Sequence, residues 1–256
     1  MKTLEEFIIE KLKVSKPRFA HHPKNKEELV DIIIKEIEAN GPTCSLNHID
    51  VSNIDDMSFL FRGGDPRLYR EVHPVLSTFD GDISYWDVSN VTNMKYMFTN
   101  CNYSGNNGDI SDWDVSNVTD MEAMFLNSKY NGNISGWDVS NVTNMSFLFY
   151  ASVFNGKNGD ISEWNVSNVT DMSYMFMESK YNGDISNWDV SKVTKMESMF
   201  YASKFNGDLS NWDVSNVTNM TKMFRTSKFT GENGDLSHWN VSNVTRMSEM
   251  FYNCKF

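Results

Sequence analysis

The most prominent pattern in the sequence is a set of apolar positions that recurs every 24 or 27 residues. Each copy reads I/L-S-x-W-D/N-V-S-x-V-T-x-M-x-x-M/L-F, then a small residue, then Phe or Tyr and Gly. The tryptophan position is filled by Trp86, Trp113, Trp137, Trp164, Trp188, Trp212 and Trp239, and an earlier degenerate copy has Ile49 there. One copy alone cannot bury its apolar residues, whereas stacked neighbours can, so residues 46–256 are predicted to form a solenoid of about eight coils.

Two short elements are predicted within each coil. Trp and Val alternate with Asp, which favours a short parallel strand such as Tyr85 to Ser89 with Trp and Val facing inward. Met94, Met97 and Phe98 follow at the i, i+3 and i+4 positions of one helical face. The expected fold class is therefore an α/β repeat solenoid of leucine-rich-repeat-like coils, with a short parallel strand and a short helix in each repeat.

Local signals support the predicted helix of each repeat. Thr92 is the expected N-cap, and two repeats place a Glu three residues after the equivalent Thr, as in a capping box. The two pairs are Thr119 with Glu122 and Thr194 with Glu197. The three-residue insertion of the 27-residue repeats precedes an Asn-Gly-Asp turn, which indicates an exposed loop.

The ends of the repeat array have their own patterns. Residues 25–40 are predicted to form a helix with Asn25 as N-cap, Glu28 at N3 and a stop at Gly41 and Pro42. Residues 3–13 are predicted to form a second helix, so residues 1–45 would be a helical N-terminal cap. A longer loop is expected at 62–78. The last coil stops at Phe256 without a polar cap, which leaves an exposed end, pairing with another molecule or a truncated chain as alternatives.

Composition narrows the classes of function. A net charge of −11 over 256 residues argues against nucleic-acid binding and fits a soluble surface, a basic partner or cations. The three cysteines do not form a disulfide framework, and no apolar run is long enough to span a membrane. The N-terminus lacks the pattern of a signal peptide, so a cytoplasmic location is expected for the sequence as it stands. The histidines are scattered and no phosphate-binding loop is present in the sequence. We therefore expect a protein that is not an enzyme and has no cofactor.

The string WDVSNVTNMxxMF followed by FNGDIS resembles the bacterial BspA-like leucine-rich repeat family, also catalogued as a mycoplasma-type domain of unknown function, DUF285. The resemblance covers about residues 46–256. It implies a leucine-rich-repeat-like solenoid without enzyme activity, in a family whose members are mostly described as surface, adhesin or interaction proteins. Cell-surface placement is the alternative location that this resemblance implies. The repeat departs from the standard one because Val91 takes the usual Asn position and Asn90 precedes it.

The candidate binding residues are those that the repeat leaves free. Just before each Trp the residue varies, and this column includes Tyr85, Asp112, Glu163 and His238. On the predicted helix side, the variable column includes Tyr96, Phe147 and Tyr174. Aromatic residues in an exposed row are typical anchors of protein interfaces, and unselected surface is the alternative interpretation.

A column of acidic residues is a weak candidate for metal binding. It includes Asp87, Asp114 and Asp138, whose oxygens could hold Ca²⁺ between coils, although Asx turns explain the same residues.

The leading functional hypothesis is a non-enzymatic protein-interaction solenoid that binds a protein partner through its variable columns. An acidic decoy or inhibitor of a basic or nucleic-acid-binding protein is the first alternative, motivated by the net charge. A Ca²⁺-stabilised bacterial surface adhesin is the second. Self-association through the uncapped C-terminal coil is a further option.

Overall fold

A computed structural model describes residues 19–64 and 73–256. The predicted helix at 3–13 and residues 65–72 of the predicted 62–78 loop lie outside the described residues. The described part contains one α-helix, α1 (Lys26–Asn40), and one short 3-10 helix (Leu76–Thr78). None of the helices in these ranges is long and apolar enough to cross a membrane.

The predicted α/β repeat solenoid is wrong, because no repeat within the described ranges contains a strand or an α-helix. Each repeat is instead a succession of tight turns. In the coil around Trp86, backbone N–H groups donate to carbonyls three residues earlier, from Trp86 to Ile83 and from Val91 to Val88. The same turn bonds recur in the following coils.

Left-handed residues explain why the Met-x-x-Met-Phe segment is not helical. Tyr96 has a φ of 58° and Asn100 a φ of 51°, and the equivalent residues of the later coils share this conformation. A right-handed helix cannot continue through such residues. The Tyr96 N–H donates to Glu122 O of the next coil at 2.8 Å, whereas the Met97 N–H closes a turn onto Met94 O. Buried side chains therefore recur at helical spacing on a backbone that is not helical.

The predicted capping boxes are also absent, because no helix follows them. The Thr119 hydroxyl donates to Thr92 O of the preceding coil at 3.2 Å, and so does the Thr119 N–H at 2.8 Å. The Glu122 N–H donates to the Asp120 carboxylate rather than to a threonine. The threonine column therefore joins neighbouring coils instead of starting helices.

Turn chemistry replaces the predicted strand at Tyr85 to Ser89. Asp87 Oδ1 accepts from both the N–H and the hydroxyl of Ser89, at 3.1 and 2.6 Å. Such an Asx turn satisfies the local amide within the coil. Trp86 and Val88 are nevertheless buried and Asp87 is exposed, so the inward and outward assignment of these residues is confirmed.

Parallel contacts between consecutive repeats hold the coils in register. An isolated parallel bridge at equivalent positions joins each pair, and over the described ranges these bridges run through Asp56, Asn93, Asp120, Asn144, Asp171, Lys195, Asn219 and Arg246. Eight coils are therefore stacked through seven junctions in this part of the chain.

Side-chain ladders reinforce every junction of the stack. The Trp164 indole Nε1–H donates to Ile134 O of the preceding coil at 3.0 Å, and all seven tryptophans make the equivalent bond. The Asn90 side chain donates to Ser52 O at 2.7 Å, so the shifted asparagine still forms an inter-coil ladder. Lys192 stands in the asparagine position of one coil and donates to Asn168.

The core is a continuous column of apolar side chains along the stack. The repeat phenylalanines stack nearly parallel, with neighbouring ring centroids 5.4 to 5.9 Å apart. This column consists of Phe61, Phe98, Phe125, Phe149, Phe176, Phe200, Phe224 and Phe251. Offset aromatic pairs of this kind add to the hydrophobic gain of burial.

Helix α1 confirms the helix predicted over residues 25–40. The Asn25 side chain accepts from the Glu28 N–H at 2.9 Å, which satisfies one of the free amides of the first turn. Leu29, Ile33 and Ile37 are buried and belong to the same apolar cluster as the coils. Gly41, with a φ of 87°, ends the helix.

The tryptophan ladder predicts a large cost for replacing a single tryptophan. Trp164→Phe leaves the buried Ile134 carbonyl without its donor and opens space in the core, so unfolding free energy should fall by about 3 kcal/mol. Equilibrium denaturation measures this, with Glu163→Gln as the control because Glu163 is adjacent and exposed. Equal stabilities of the two variants would contradict a structural role for the indole N–H.

The left-handed residues predict opposite effects for one substitution at two sites. Ala202 has a φ of 52°, so Ala202→Gly relieves strain and should raise the unfolding free energy by about 0.5 kcal/mol. Ala39 lies in the last turn of α1, where Ala39→Gly should lower it by about 0.5 kcal/mol. Chemical denaturation of both variants tests the pair, and a loss of stability in Ala202→Gly would argue against the left-handed assignment.

Candidate functional site

The column before the tryptophans lies at the surface. Tyr85, Asp112, Glu163 and His238 are all exposed, and Tyr85 is 72% exposed. The Tyr85 N–H donates to Asn47 Oδ1 of the preceding coil at 2.9 Å, which fixes the backbone at this position. Because successive coils are stacked, these side chains follow one another along one side of the array.

The second predicted column is half-buried rather than freely exposed. Tyr96 stacks on Phe59 with ring centroids 5.1 Å apart, and Phe147 stacks on Tyr174 at 4.4 Å. Between these pairs the same position holds Ala123, whose side chain is fully buried. The three predicted aromatics therefore belong to two stacked pairs that are separated by one coil.

Sequence inspection missed a third column beside this one, formed by the residue that follows each repeat phenylalanine. In the eight coils it holds Arg62, Thr99, Leu126, Tyr150, Met177, Tyr201, Arg225 and Tyr252. Phe147 and Tyr150 are neighbours, with ring centroids 6.2 Å apart, so the two columns adjoin. The available signal was an aromatic residue at this position in three repeats. The two adjoining columns are called the aromatic face below.

Cationic side chains are interleaved with the rings of the aromatic face. The Arg225 guanidinium lies over both the Tyr201 ring at 5.8 Å and the Tyr252 ring at 4.9 Å. Arg62 lies in the same way over Phe59 and Tyr96. Cation–π contacts of this kind order long side chains on a surface.

Carboxylates fix the tyrosine hydroxyls at the edge of this face. Tyr96 Oη donates to Glu122 Oε1 at 2.8 Å, and Tyr174 Oη donates to Glu197 Oε1 at 2.5 Å. Burial, together with the hydrogen bond and charge of Glu197, raises the pKa of Tyr174 to about 12. The tyrosine therefore stays a neutral donor, and both glutamates have a side-chain role outside any helix cap.

The aspartates predicted as weak metal candidates form turns. The carboxylates of Asp87, Asp114 and Asp138 each accept the N–H of the serine two residues later, at 3.0 to 3.1 Å. Hydrogen bonds from the Ser140 hydroxyl and amide lower the pKa of Asp138 below its usual value. Asn165 accepts the Ser167 N–H in the same way, so the position needs an acceptor oxygen more than a charge. Calcium binding at this column stays a prediction.

A second set of potential ligands was not found from the sequence. His21, Glu36 and His48 bring ligand atoms within 4.8 Å of one another. It is the only group of three or more His, Cys, Asp or Glu ligands so placed in residues 19–64 and 73–256. The three residues come from separate segments, so no short spacing motif announces them.

The last coil exposes apolar residues that earlier coils bury. Val241 is 40% and Met247 41% exposed, whereas the equivalent Val88 and Met94 are nearly or fully buried by the next coil. These side chains and Trp239 help to line an open cavity of about 360 Å³. Self-association through this end stays a prediction.

Asx turns at the aspartate column predict a specific pH response. Asp138, Asp189 and Asp213 have pKa values lowered from 3.8, chiefly by hydrogen bonds from the following serines. A lowered folded pKa contributes stability above the unfolded value of 3.8, and this contribution is lost as pH falls through the folded value. Changing all three to Asn keeps the acceptor oxygen, so stability should decline less between about pH 5 and pH 3.

Thermal melts across this pH range measure the effect, and single Asp-to-Asn variants should show fractions of it. A triple variant whose stability declines as steeply as the parent chain would contradict the Asx-turn assignment. Addition of Ca²⁺ at neutral pH tests the calcium alternative on the parent chain, since a bound ion raises its melting temperature.

No curated protein and no solved structure matches the chain. One family does match, described as "Mycoplasma protein of unknown function, DUF285", over residues 36–157 and 151–256. This confirms the DUF285-type family indicated by the repeat, whereas the BspA-like name stays an expectation. Because the matched regions include α1 from Glu36 onward and all eight stacked coils, the chain belongs to the DUF285 family of mycoplasma proteins of unknown function.

Proposed function

We propose that this chain is a non-enzymatic interaction protein that binds a protein partner through its aromatic face. The observation that carries the proposal is the stacked aromatic surface on positions that the repeat leaves free. Tyr150, Tyr174 and Tyr201 lie on it with half-buried rings. The repeated Trp, Val, Met and Phe residues are occupied in the core and leave little for recognition.

The composition of this face supports a protein partner. Aromatic residues, Met and Arg are enriched in the centres of protein interfaces, while Lys and Asp are depleted there. Tyr150, Met177, Tyr201 and Arg225 follow one another in consecutive coils at one such position. The tyrosine rings among them supply a large contact area with few rotatable bonds.

Pre-organisation of the face favours binding further. Its residues lie on the backbone segment that donates to the next coil, as the Tyr174 N–H does to Glu197 O at 2.8 Å. Phe147 and Tyr174 are held by mutual stacking. A surface ordered before binding loses less side-chain entropy when the partner docks.

The aspartate column supports a second candidate function, an inhibitor that binds a basic protein. Asp87, Asp114, Asp138, Asp189 and Asp213 are exposed in their coils on the side that carries the pre-tryptophan column. Charged contacts of this kind weaken as salt screens them. Salt dependence of partner binding therefore separates the two candidates.

Paired variants on the two sides test the proposal. Tyr150→Ala with Tyr201→Ala removes two rings of the aromatic face, while leaving the Glu122 and Glu197 hydrogen bonds in place. Tyr85→Ala with Glu163→Ala removes two exposed residues of the pre-tryptophan column. Loss of two central aromatic anchors should weaken binding by at least about tenfold, and loss of the other pair by about twofold or less.

The partner is first enriched quantitatively from the native cell with the parent chain as bait, and its affinity for each purified variant is then measured by calorimetry. Circular dichroism confirms that each variant is folded. If the Tyr85 and Glu163 variant lost more affinity than the Tyr150 and Tyr201 variant, the interface would lie on the pre-tryptophan column instead. A steep loss of affinity between low and high salt, shared by both variants, would favour the acidic inhibitor.

A further inference from the structure

We propose that His21, Glu36 and His48 form a Zn²⁺ site that joins residues 19–25, which precede α1, and α1 itself to the first coil. The site is independent of the aromatic face, which begins at Phe59 on the later part of the first coil. It also differs in chemistry from the aspartate column, because it combines two imidazoles with one carboxylate.

Ligand spacing is the first observation that supports the site. Glu36 Oε1 lies 3.5 Å from His21 Nε2 and 3.4 Å from His48 Nε2. Direct hydrogen bonds between charged groups measure about 2.7–2.9 Å, so both contacts are longer than that. Ligands bound to tetrahedral zinc at about 2.0–2.1 Å lie roughly 3.4 Å from one another. The two spacings from Glu36 therefore suit ligands of one ion, and all three ligand atoms lie within 4.8 Å of one another.

A hydrogen bond on the far side of the Glu36 carboxylate orients it. The Asn40 side-chain amide donates to Glu36 Oε2 at 2.9 Å, one helical turn further along α1. This bond occupies one oxygen and leaves Oε1 facing the two imidazoles. Outer hydrogen bonds that hold a ligand in this way are a regular feature of metal sites.

The two histidines are brought together by the backbone rather than by their side chains. The Ala20 N–H donates to His48 O at 2.8 Å, and the Asp50 N–H donates to His21 O at 2.9 Å. These bonds place the two imidazole rings with centroids 5.6 Å apart. Substitution of either side chain leaves the backbone bonds intact, which makes the site testable by mutation.

Partial exposure leaves the site accessible to an ion from solution. The side chains of His21, Glu36 and His48 are 39%, 21% and 32% exposed. Three protein ligands leave a fourth tetrahedral position for water or an external ligand. Imidazole ligands favour zinc and its neighbours in the transition series, whereas Ca²⁺ and Mg²⁺ take oxygen ligands. Zinc binding is therefore expected to be selective over both.

Zinc would add a direct cross-link between parts of the chain that already share backbone hydrogen bonds and apolar packing. His21 precedes α1, Glu36 lies in its third turn and His48 lies in the first coil, whose Ile49 pairs with His21 through a parallel bridge. An ion that binds only the folded arrangement stabilises it by mass action. The melting temperature of the full chain should consequently rise with zinc concentration.

The experiment uses the full chain without a histidine tag, stripped of metal with a chelator and titrated with ZnCl₂ by calorimetry. One Zn²⁺ per chain is expected, with a matching rise in melting temperature that CaCl₂ and MgCl₂ do not produce. Glu36→Gln and His48→Gln should each weaken binding by at least about tenfold, because each removes a ligand. Asn40→Ala should weaken it by about tenfold while all three ligands remain.

Matched controls locate the ion. His22→Gln changes the adjacent histidine, which pairs with Asp50 instead, and His238→Gln changes a histidine in the last coil. Burial, and after it the charge of Glu36, raises the pKa of the nearby Cys44 thiol, which Cys44→Ser removes. All three controls should bind zinc like the parent chain. Zinc binding that is unchanged in Glu36→Gln and His48→Gln, lost in a control, or absent from the parent chain would overturn the proposal.

Discussion

Hydrogen bonds between neighbouring coils are the interaction on which the rest of this structure depends. A chain made of tight turns leaves many amides and carbonyls without partners inside one repeat, and burial of such groups is costly. In the stack, side-chain donors satisfy carbonyls of the preceding coil. Examples are the Trp164 indole, the Asn90 amide and the Thr119 hydroxyl. Each repeat therefore depends on its neighbour for polar satisfaction as well as for apolar burial.

The same dependence explains the division of roles along each repeat. Positions that donate or accept across a junction, or that fill the core, tolerate little change because every coil uses them in the same geometry. Lys192 illustrates the limit, since it replaces the ladder asparagine and still donates to Asn168 of the preceding coil. Variation is left to surface positions such as those of Tyr85 and Tyr150, and there a binding surface can differ from coil to coil without loss of the stack.

Sequence periodicity predicted which residues are buried, but not the backbone that buries them. Met94, Met97 and Phe98 are fully buried, as their spacing indicated, and α1 begins and ends where its caps predicted. The predicted helix of each repeat failed because Tyr96 adopts a left-handed conformation, and no glycine marks that position. A helix buries residues at this spacing, and so does a chain of turns whose N–H groups donate alternately within the coil and to the next coil. Both structures give the same sequence pattern, so periodicity alone cannot separate them.

Prediction of the binding sites from the sequence was limited by a different physical cause. A repeat displays its columns directly, and the exposed pre-tryptophan position of Tyr85 followed from alternation with a buried neighbour. The group of His21, Glu36 and His48 has no such signal, because it forms only when the segment before α1 pairs with the first coil. Within a stack of near-identical coils, chemistry that occurs once is expected where the repetition breaks. The junction between α1 and the first coil is such a break, and it is there that three different segments converge on one ligand set.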